Sequence, residues 1–141
     1  MPAGQLYFAY GSNMDDAQMC DRCPSVQFVD IARLRGFKFM INERGVATLN
    51  ADKASEVWGV IWEIQHSDIS ELDRREGVPT YYSKKHIYVV DSKNKSMHVM
   101  IYVDKRTARG PSRNGYIDKI ITAAQKNKLP DTYIDELRTW E

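Results

Sequence analysis

The chain has 141 residues, a mass of 16.3 kDa and a formal net charge of +1. This length predicts one domain over residues 1–141, and 43% hydrophobic residues are enough for a globular core. A charge so close to neutral argues against nucleic acid or anionic membrane as a partner, and no apolar run is long enough to cross a bilayer. The sequence begins without the basic and apolar pattern of a signal peptide and has only two cysteines, which predicts a reducing, cytoplasmic location.

The chain opens with a buried strand that runs directly into a helix. Residues 6–10 are apolar and aromatic and predict the strand. Ser12 and Asn13 then offer side-chain caps for a helix over residues 14–22, and Pro24 prevents that helix from continuing. The sequence therefore predicts a strand–turn–helix unit at this end.

The next part of the chain favours strands. Residues 26–42 predict a strand with a bend at Gly36, and residues 46–50 a short one. Residues 56–64, with the sequence EVWGVIWEI, are apolar on both faces, as expected for a strand in the middle of a sheet. Gly59 inside this strand predicts a close approach of another segment or a bulge.

A short helix and a hairpin follow. Ser67 is predicted to cap a helix that ends at Gly77, because glycine readily adopts the backbone conformation that terminates helices. Residues 81–90 and 97–103 predict two strands, joined into a hairpin by the polar turn over residues 91–95.

Two helices are predicted at the carboxyl end, one opening at Pro111 and one restarting at Pro130. The second carries Tyr133, Leu137 and Trp140, which could pack on the core or on a second copy of the chain in a homodimer. Strands in the middle with inserted and terminal helices predict an α+β fold whose antiparallel or mixed sheet resembles a small barrel.

Glu76 is the most informative single residue. At 100° per residue, Leu72 falls about 60° and Glu76 about 20° from Ile69, so Glu76 lies in the apolar stripe of its own helix. Burial would raise the pKa of this carboxyl towards neutrality, where a general acid–base works best. The alternative is that Glu76 turns towards solvent or pairs with an arginine, and Asp73 could share the catalytic role.

The strand–turn–helix junction at Gly11, Ser12 and Asn13 has the composition of an anion site. Backbone N–H groups are free where a helix begins, and glycine lets a ligand approach the backbone. The alternative is an ordinary capped turn. A serine hydrolase is disfavoured because His66, His86 and His98 are scattered along the chain.

Cys20 and Cys23 form an isolated CxxC without a second pair of zinc ligands. We expect Cys20 to pack inward from the first helix and Cys23 to end it. A basic cluster further along is predicted to be a solvated loop beside the site, since it has no aromatic stacking platform. Its members are Lys105, Arg106, Arg109 and Arg113.

Several segments together resemble the gamma-glutamylcyclotransferase family. The segment YFAYGSNM at residues 7–14 resembles the hallmark of that family, and GVATL followed by EVWGVIWEI resembles its central strands. LDRREG resembles the acidic helix motif, and PS at residues 111–112, Tyr116 and KNKLP resemble the helical carboxyl-terminal part. These blocks keep the family's order from about Leu6 to Leu137.

The resemblance implies a small mixed barrel with a cavity at one end. It also implies release of 5-oxoproline from a gamma-glutamyl substrate, without a metal or cofactor. Glu76 matches the catalytic acid–base, and Tyr116 matches a tyrosine of the binding cavity. The segment that matches the substrate cradle consists of Tyr7, Phe8, Ala9, Tyr10, Gly11 and Ser12, with Asn13 extending it.

Such a reaction is an intramolecular acyl transfer in which the substrate's α-amine attacks its own γ-carbonyl. We expect Glu76 to accept a proton from that amine and to deliver one to the leaving nitrogen. Rings of Tyr10 and Tyr82 are expected to wall the cavity. Backbone donors at residues 11–12 would hold either the α-carboxylate or the oxyanion.

Two departures from the family pattern concern the substrate. Residues 39–46 are short where some members carry a longer insertion, and Tyr116 is spaced loosely from residues 111–112. The leaving group therefore stays open between an amino acid, an amine, a peptide and a biosynthetic scaffold from which a gamma-glutamyl tag is removed. A non-catalytic module that binds small molecules is the alternative from another class.

Overall fold

A computed structural model describes residues 4–141. Its five strands are β1 (Gln5–Ala9), β2 (Gln27–Ile41), β3 (Ala47–Ile64), β4 (Tyr82–Asp91) and β5 (Ser96–Asp104). Its four α-helices are α1 (Asp16–Arg22), α2 (Ile69–Glu76), α3 (Tyr116–Lys126) and α4 (Asp131–Arg138), with 3-10 turns at Ser12–Met14 and His66–Asp68. Among these residues, no helix has the length and apolar character needed to cross a membrane.

The strands close into a barrel in the order β1-β3-β2-β4-β5. All neighbours are antiparallel except β1 and β5, which pair in parallel where Tyr7 meets Met100. A ring with an odd number of strands cannot alternate direction throughout, so one parallel pair is required. The predicted α+β fold with a mixed barrel-like sheet is confirmed.

The hairpin of β2 and β3 is the longest element of the barrel. The sequence predicts two strands where the structure has one, β3, because β2 supplies a partner along almost all of its length. Residues 52–55, between the two predicted strands, lie opposite Gly36 alone, where the register shifts between the pairs Arg35–Glu56 and Phe37–Ala51. Gly36 has φ 88°, so the predicted bend is confirmed.

Gly59 occupies the centre of β3, between β1 and β2. A Cβ atom at this position would lie 2.3 Å from the carbonyl oxygen of Ala9 and 2.8 Å from Cζ of Phe8. These distances are shorter than van der Waals contact, so the position has no room for a side chain. The predicted close approach is confirmed.

Three predicted helix starts are wrong. Asp15 caps α1 by accepting a hydrogen bond from the N–H of Gln18, so neither Ser12 nor Asn13 is its cap. Ser67 lies inside the 3-10 turn before α2, and Gln65 caps that turn. The helix expected from Pro111 begins at Tyr116, because the chain first passes through Gly115 at φ 76°. In each case the residue at the N-cap position differs from the predicted one.

The carboxyl-terminal helices pack on the chain's own core. Tyr133 and Leu137 of α4 are buried. Trp140 packs edge-to-face on Phe39, with a ring separation of 6.4 Å, and the guanidinium of Arg109 lies 3.9 Å from its ring centre. Trp140, which follows the end of α4, therefore covers Phe39 of β2.

Substitution Gly59→Ala is expected to lower the free energy of unfolding by about 1–3 kcal/mol, because the added methyl forces β1 and β3 apart. Urea unfolding of the variant and the parent measures the difference. Gly36→Asn is the control, since the site has open space and asparagine tolerates a positive φ. Equal stability of Gly59→Ala and the parent would contradict the close packing at this point.

Candidate functional site

A cavity of about 480 Å³ opens at one end of the barrel. Strands β1, β2 and β5 finish at this end and β3 and β4 begin there, so five chain segments meet around it. Helix α2 and the start of α3 complete the wall. The lining residues that matter below are Tyr7, Tyr10, Gly11, Ser12, Asn13, Arg22, Arg44, Ala47, Glu76, Tyr81, Tyr82, Tyr102, Arg113 and Tyr116.

Glu76 enters the cavity from the last turn of α2. Leu72, one turn earlier, is fully buried and anchors the helix, while Gly77 at φ 70° ends it. The Glu76 side chain is only 18% exposed. Burial raises the pKa of this carboxyl to about 7, against the opposing effects of Arg22 and Arg44. A carboxyl group with this pKa can both accept and donate a proton near neutral pH.

Arg22 ties the carboxylate to the amino-terminal turn. Its Nη1 lies 3.7 Å from Oε2 of Glu76 and donates a hydrogen bond of 2.8 Å to Oδ1 of Asn13. The Asn13 amide in turn donates to the Tyr7 hydroxyl at 2.9 Å, and its backbone carbonyl accepts from the Trp62 indole at 2.9 Å. The buried Asn13 thus fixes both the arginine and a cavity tyrosine.

Gly11 and Ser12 bring backbone N–H groups to the cavity. Within residues 4–141 neither N–H donates to a protein acceptor. A Cβ atom at Gly11 would lie 3.4 Å from the Tyr116 hydroxyl, so glycine leaves room between the two segments. Two unpaired donors on a turn can hold a carboxylate or a developing oxyanion.

Tyrosines form much of the wall and use their hydroxyls to join separate segments. The Tyr82 hydroxyl donates to the carbonyl of Ala47 at 2.7 Å, and the N–H of Ala47 donates to the Tyr116 hydroxyl at 3.1 Å. Tyr10 donates to the carbonyl of Tyr102 at 2.7 Å. Burial raises the pKa of all four phenols, so they remain neutral donors and acceptors.

Most of the residues singled out in the sequence converge here, but Phe8 and Ala9 do not line the cavity. Both are buried, and Phe8 packs against the position of Gly59. They belong to β1, the strand that precedes the turn, and they are enclosed in the hydrophobic core. Asp73 is engaged outside the cavity, accepting from Tyr102 at 2.6 Å and from Lys84 at 2.8 Å.

Arg22, Arg44 and Tyr102 line the cavity, although nothing in the sequence singled them out. Arg113, predicted to lie in a solvated loop beside the site, is also a lining residue. Arg22 closes a helix in sequence and Arg44 sits in a turn, so only the folded chain brings them to Glu76. Their one sequence signal is positive charge.

The predictions for the cysteines and for the basic cluster are confirmed only in part. Cys20 is exposed, which contradicts the inward packing predicted for it, whereas the buried Cys23 ends α1 as predicted. Arg106 pairs with the buried Asp104 at 3.0 Å, so part of the cluster is structural.

Comparison with known proteins identifies similar chains. A family model described as the AIG2-like family matches residues 56–137. The chain is 35% identical over 147 aligned residues to a gamma-glutamylcyclotransferase of Mus musculus and 31% identical to that of Homo sapiens, covering 96% of this chain and 78% of each relative. A solved structure titled gamma-glutamyl cyclotransferase superposes with a TM-score of 0.91 at 30% identity, covering 97% of this chain and 88% of the other.

The raised pKa of Glu76 predicts a pH-dependent cost of folding. The folded state binds this proton more tightly than the unfolded state, so stability falls as pH rises from 4.5 through about 7. Glu76→Gln lacks this loss, and its advantage in unfolding free energy is expected to grow by up to about 3 kcal/mol between pH 5 and pH 8. Urea unfolding across that range measures it.

Glu71→Gln serves as the control on the same helix. The pKa of Glu71 is lowered to about 2 by its hydrogen bonds to Arg74 and Arg75, so its ionisation does not change between pH 5 and pH 8. Its effect on stability is expected to be constant over that range. A constant difference for Glu76→Gln as well would contradict the raised pKa.

Proposed function

The chain belongs to the gamma-glutamylcyclotransferase family, and we propose that it releases 5-oxoproline from a gamma-glutamyl amide by attack of the substrate's α-amine on its γ-carbonyl. The observation that carries this proposal is Glu76. Among residues 4–141 it is the one carboxylate that lines the cavity, and its pKa of about 7 suits proton transfer at neutral pH.

Proton balance explains why one carboxyl group is sufficient. The substrate enters with an α-ammonium carrying three protons, and the lactam product keeps one of them on that nitrogen. The two others end on the leaving nitrogen, which departs as an ammonium when its amine is basic. Glu76 accepts the first proton and so frees the lone pair for attack. It then passes that proton to the leaving nitrogen. After the attack, Glu76 accepts the second proton from the ring nitrogen and transfers it to the leaving nitrogen in the same way.

The rest of the cavity supplies orientation and electrostatics. Ring closure is intramolecular, so holding the chain of the substrate in a folded conformer can contribute roughly 7–11 kcal/mol towards the barrier. The free N–H groups of Gly11 and Ser12 hold the α-carboxylate or the oxyanion of the tetrahedral intermediate. Rings of Tyr10, Tyr82 and Tyr116 wall the cavity beside these donors and restrict the conformations that a substrate can adopt there.

A binding module of the same fold is the competing function. Such a module has no need of a carboxyl group whose pKa lies near neutrality, and burying one is costly.

We also propose a cytoplasmic location, supported by Cys20 and Cys23, which are both free thiols in the structure.

Glu76→Gln is expected to lower the rate of 5-oxoproline release roughly 10²–10⁴-fold while leaving substrate affinity within a few-fold, because glutamine keeps the shape and loses the proton transfer. Detection of 5-oxoproline from a set of gamma-glutamyl compounds, with calorimetry for binding, tests this. Glu71→Gln, on the same helix but paired with Arg74 and Arg75, is expected to retain activity. Release at the parental rate by Glu76→Gln would refute the assignment.

The acid side of the kcat/KM profile should follow Glu76, with activity rising with pH through about 7 as the carboxylate forms. Arg22 lowers the pKa of Glu76, so Arg22→Met is expected to move this limb to higher pH. The pH profile separates this effect from a simple loss of kcat. Lys126→Met removes the same charge from an exposed site and should leave the limb in place, and an unmoved limb in Arg22→Met would contradict the coupling.

A further inference from the structure

We propose that Arg44 is a specificity-determining residue that binds a carboxylate carried by the leaving group of the substrate. This inference rests on the proposed function and deepens it, because it assigns the part of the cavity that the glutamyl moiety and Glu76 do not use. It predicts preference for gamma-glutamyl conjugates of amino acids or peptides whose carboxylate lies next to the scissile nitrogen, over conjugates of simple amines.

Arg44 is held in place from two sides. It lies in the turn between β2 and β3, where its Nε donates to Oδ2 of Asp104 at 2.9 Å. Its guanidinium carbon lies 4.2 Å from the centre of the Tyr81 ring, a distance typical of stacking. Asp104 is fully buried and Arg44 is 19% exposed, so the guanidinium has one inner anchor and one aromatic platform.

The outer part of the same guanidinium is available to a ligand. Over the part of the chain that the structure describes, the two terminal nitrogens of Arg44 donate to no protein acceptor. Arginine presents its donors in a planar fork that matches both oxygens of a carboxylate. Since Arg44 lines the cavity, this fork is accessible from the space that a substrate would occupy.

The turn carrying Arg44 is clamped by the segment after β5. Arg113 donates from Nε to the carbonyl of Arg44 at 2.9 Å and from its backbone N–H to the carbonyl of Gly45 at 3.1 Å. Gly45 has φ 78°, and a Cβ there would lie 2.8 Å from Cγ of Arg113. Asn42 adds a hydrogen bond of 3.1 Å to the carbonyl of Arg106. Binding to Arg44 therefore costs little ordering of the protein.

Charge balance favours an anion on this side of the cavity. Asp104 is shared between Arg44 and Arg106, at 2.9 Å and 3.0 Å, so two guanidinium groups face one carboxylate. Arg113 adds a further positive charge at the same wall. On the α2 side, Arg74 and Arg75 share Glu71, which leaves one positive charge in excess, and Arg22 lies beside Glu76. On the other side, Arg44, Arg106 and Arg113 face Asp104 alone, so the larger excess of positive charge lies around Arg44.

The proposed mechanism places the leaving group of the substrate near the positive charge around Arg44. Glu76 must reach both the α-nitrogen and the leaving nitrogen, so the leaving group starts beside it. The free donors of Gly11 and Ser12 serve the glutamyl moiety on one side of the cavity. Arg44 contributes to the electrostatic environment of Glu76 and lines the same cavity from the β2–β3 turn. A carboxylate on the leaving group can therefore meet the fork of Arg44.

A matched pair of substrates tests the inference. Gamma-glutamyl-alanine and gamma-glutamyl-ethylamine differ only by the carboxylate of the leaving group. The parent protein is expected to prefer the alanine conjugate in kcat/KM by about ten- to hundredfold, the effect of one charge-assisted contact. Arg44→Met is expected to bring this ratio close to one, and Arg44→Lys to keep part of it. Lys105→Met, which removes an equal charge from a neighbouring exposed side chain, should keep the full ratio.

Two outcomes overturn the inference. A parental ratio near one shows that the leaving-group carboxylate is not recognised. A ratio that Arg44→Met leaves unchanged, with both substrates impaired equally, shows that Arg44 instead binds the glutamyl α-carboxylate or only supports the fold. Thermal unfolding of each variant is measured alongside, and the ratio within one variant is independent of how much of the protein is folded.

A binding measurement separates this inference from the proposed function. Calorimetry with the Glu76→Gln protein compares the two compounds without turnover, and Arg44→Met is added in that background. Preferential binding that depends on Arg44 supports the inference even where no 5-oxoproline is formed, in which case the proposed reaction alone fails. Equal affinities for the two compounds overturn the inference even where the parent protein releases 5-oxoproline from both.

Discussion

Glu76 carries its carboxyl group into a cavity that leaves only 18% of the side chain exposed, and a charge in such a place is unstable unless the surroundings compensate for it. The nearby positive charge compensates only in part for the burial of the Glu76 carboxylate. Arg22 is 3.7 Å away and is itself shared with Asn13, so the pKa of the carboxyl rises to about 7. A tighter ion pair would stabilise the carboxylate and weaken it as a base. The incomplete pairing of Glu76 is therefore what makes proton transfer in both directions feasible.

The closure of the barrel determines which residues can surround that carboxyl group. With five strands and one parallel pair, β1, β2 and β5 end at the same rim at which β3 and β4 begin. The turn after β1 brings backbone donors, the turn after β2 brings Arg44, and the segment before β4 brings Tyr81. Residues far apart in sequence thus become neighbours because strand order and direction place their segment ends together. Tyrosine contacts to Ala47 then join the start of β3 to the starts of β4 and α3.

Features that depend on local sequence were predictable, and features that depend on closure were not. The alternation and composition of residues 56–64 predicted a central strand, and Gly59 predicted the close approach within it. The helical position of Glu76 indicated a buried carboxyl group, because its stripe is set by residues one and two turns away. Arg22 and Arg44 gave no such signal, since each reaches the cavity through pairing between distant segments. The starts of the first two helices were misplaced because several adjacent polar residues could cap equally well, and only the backbone geometry selects among them.

The clamp between the β2–β3 turn and the segment after β5 has a consequence for how this protein can change. Its contacts, through Asn42, Gly45 and Arg113, lie outside the hydrogen-bonded ladder of the barrel, as does an isolated bridge between Asn42 and Arg109. The turn after β1 and helix α2 carry the chemistry on separate segments. Evolution or directed mutagenesis can therefore vary the two interlocked loops together. Such variation changes the side of the cavity that carries Arg44 and Arg113, while the segments that carry Glu76 and the N–H groups of Gly11 and Ser12 keep their sequence.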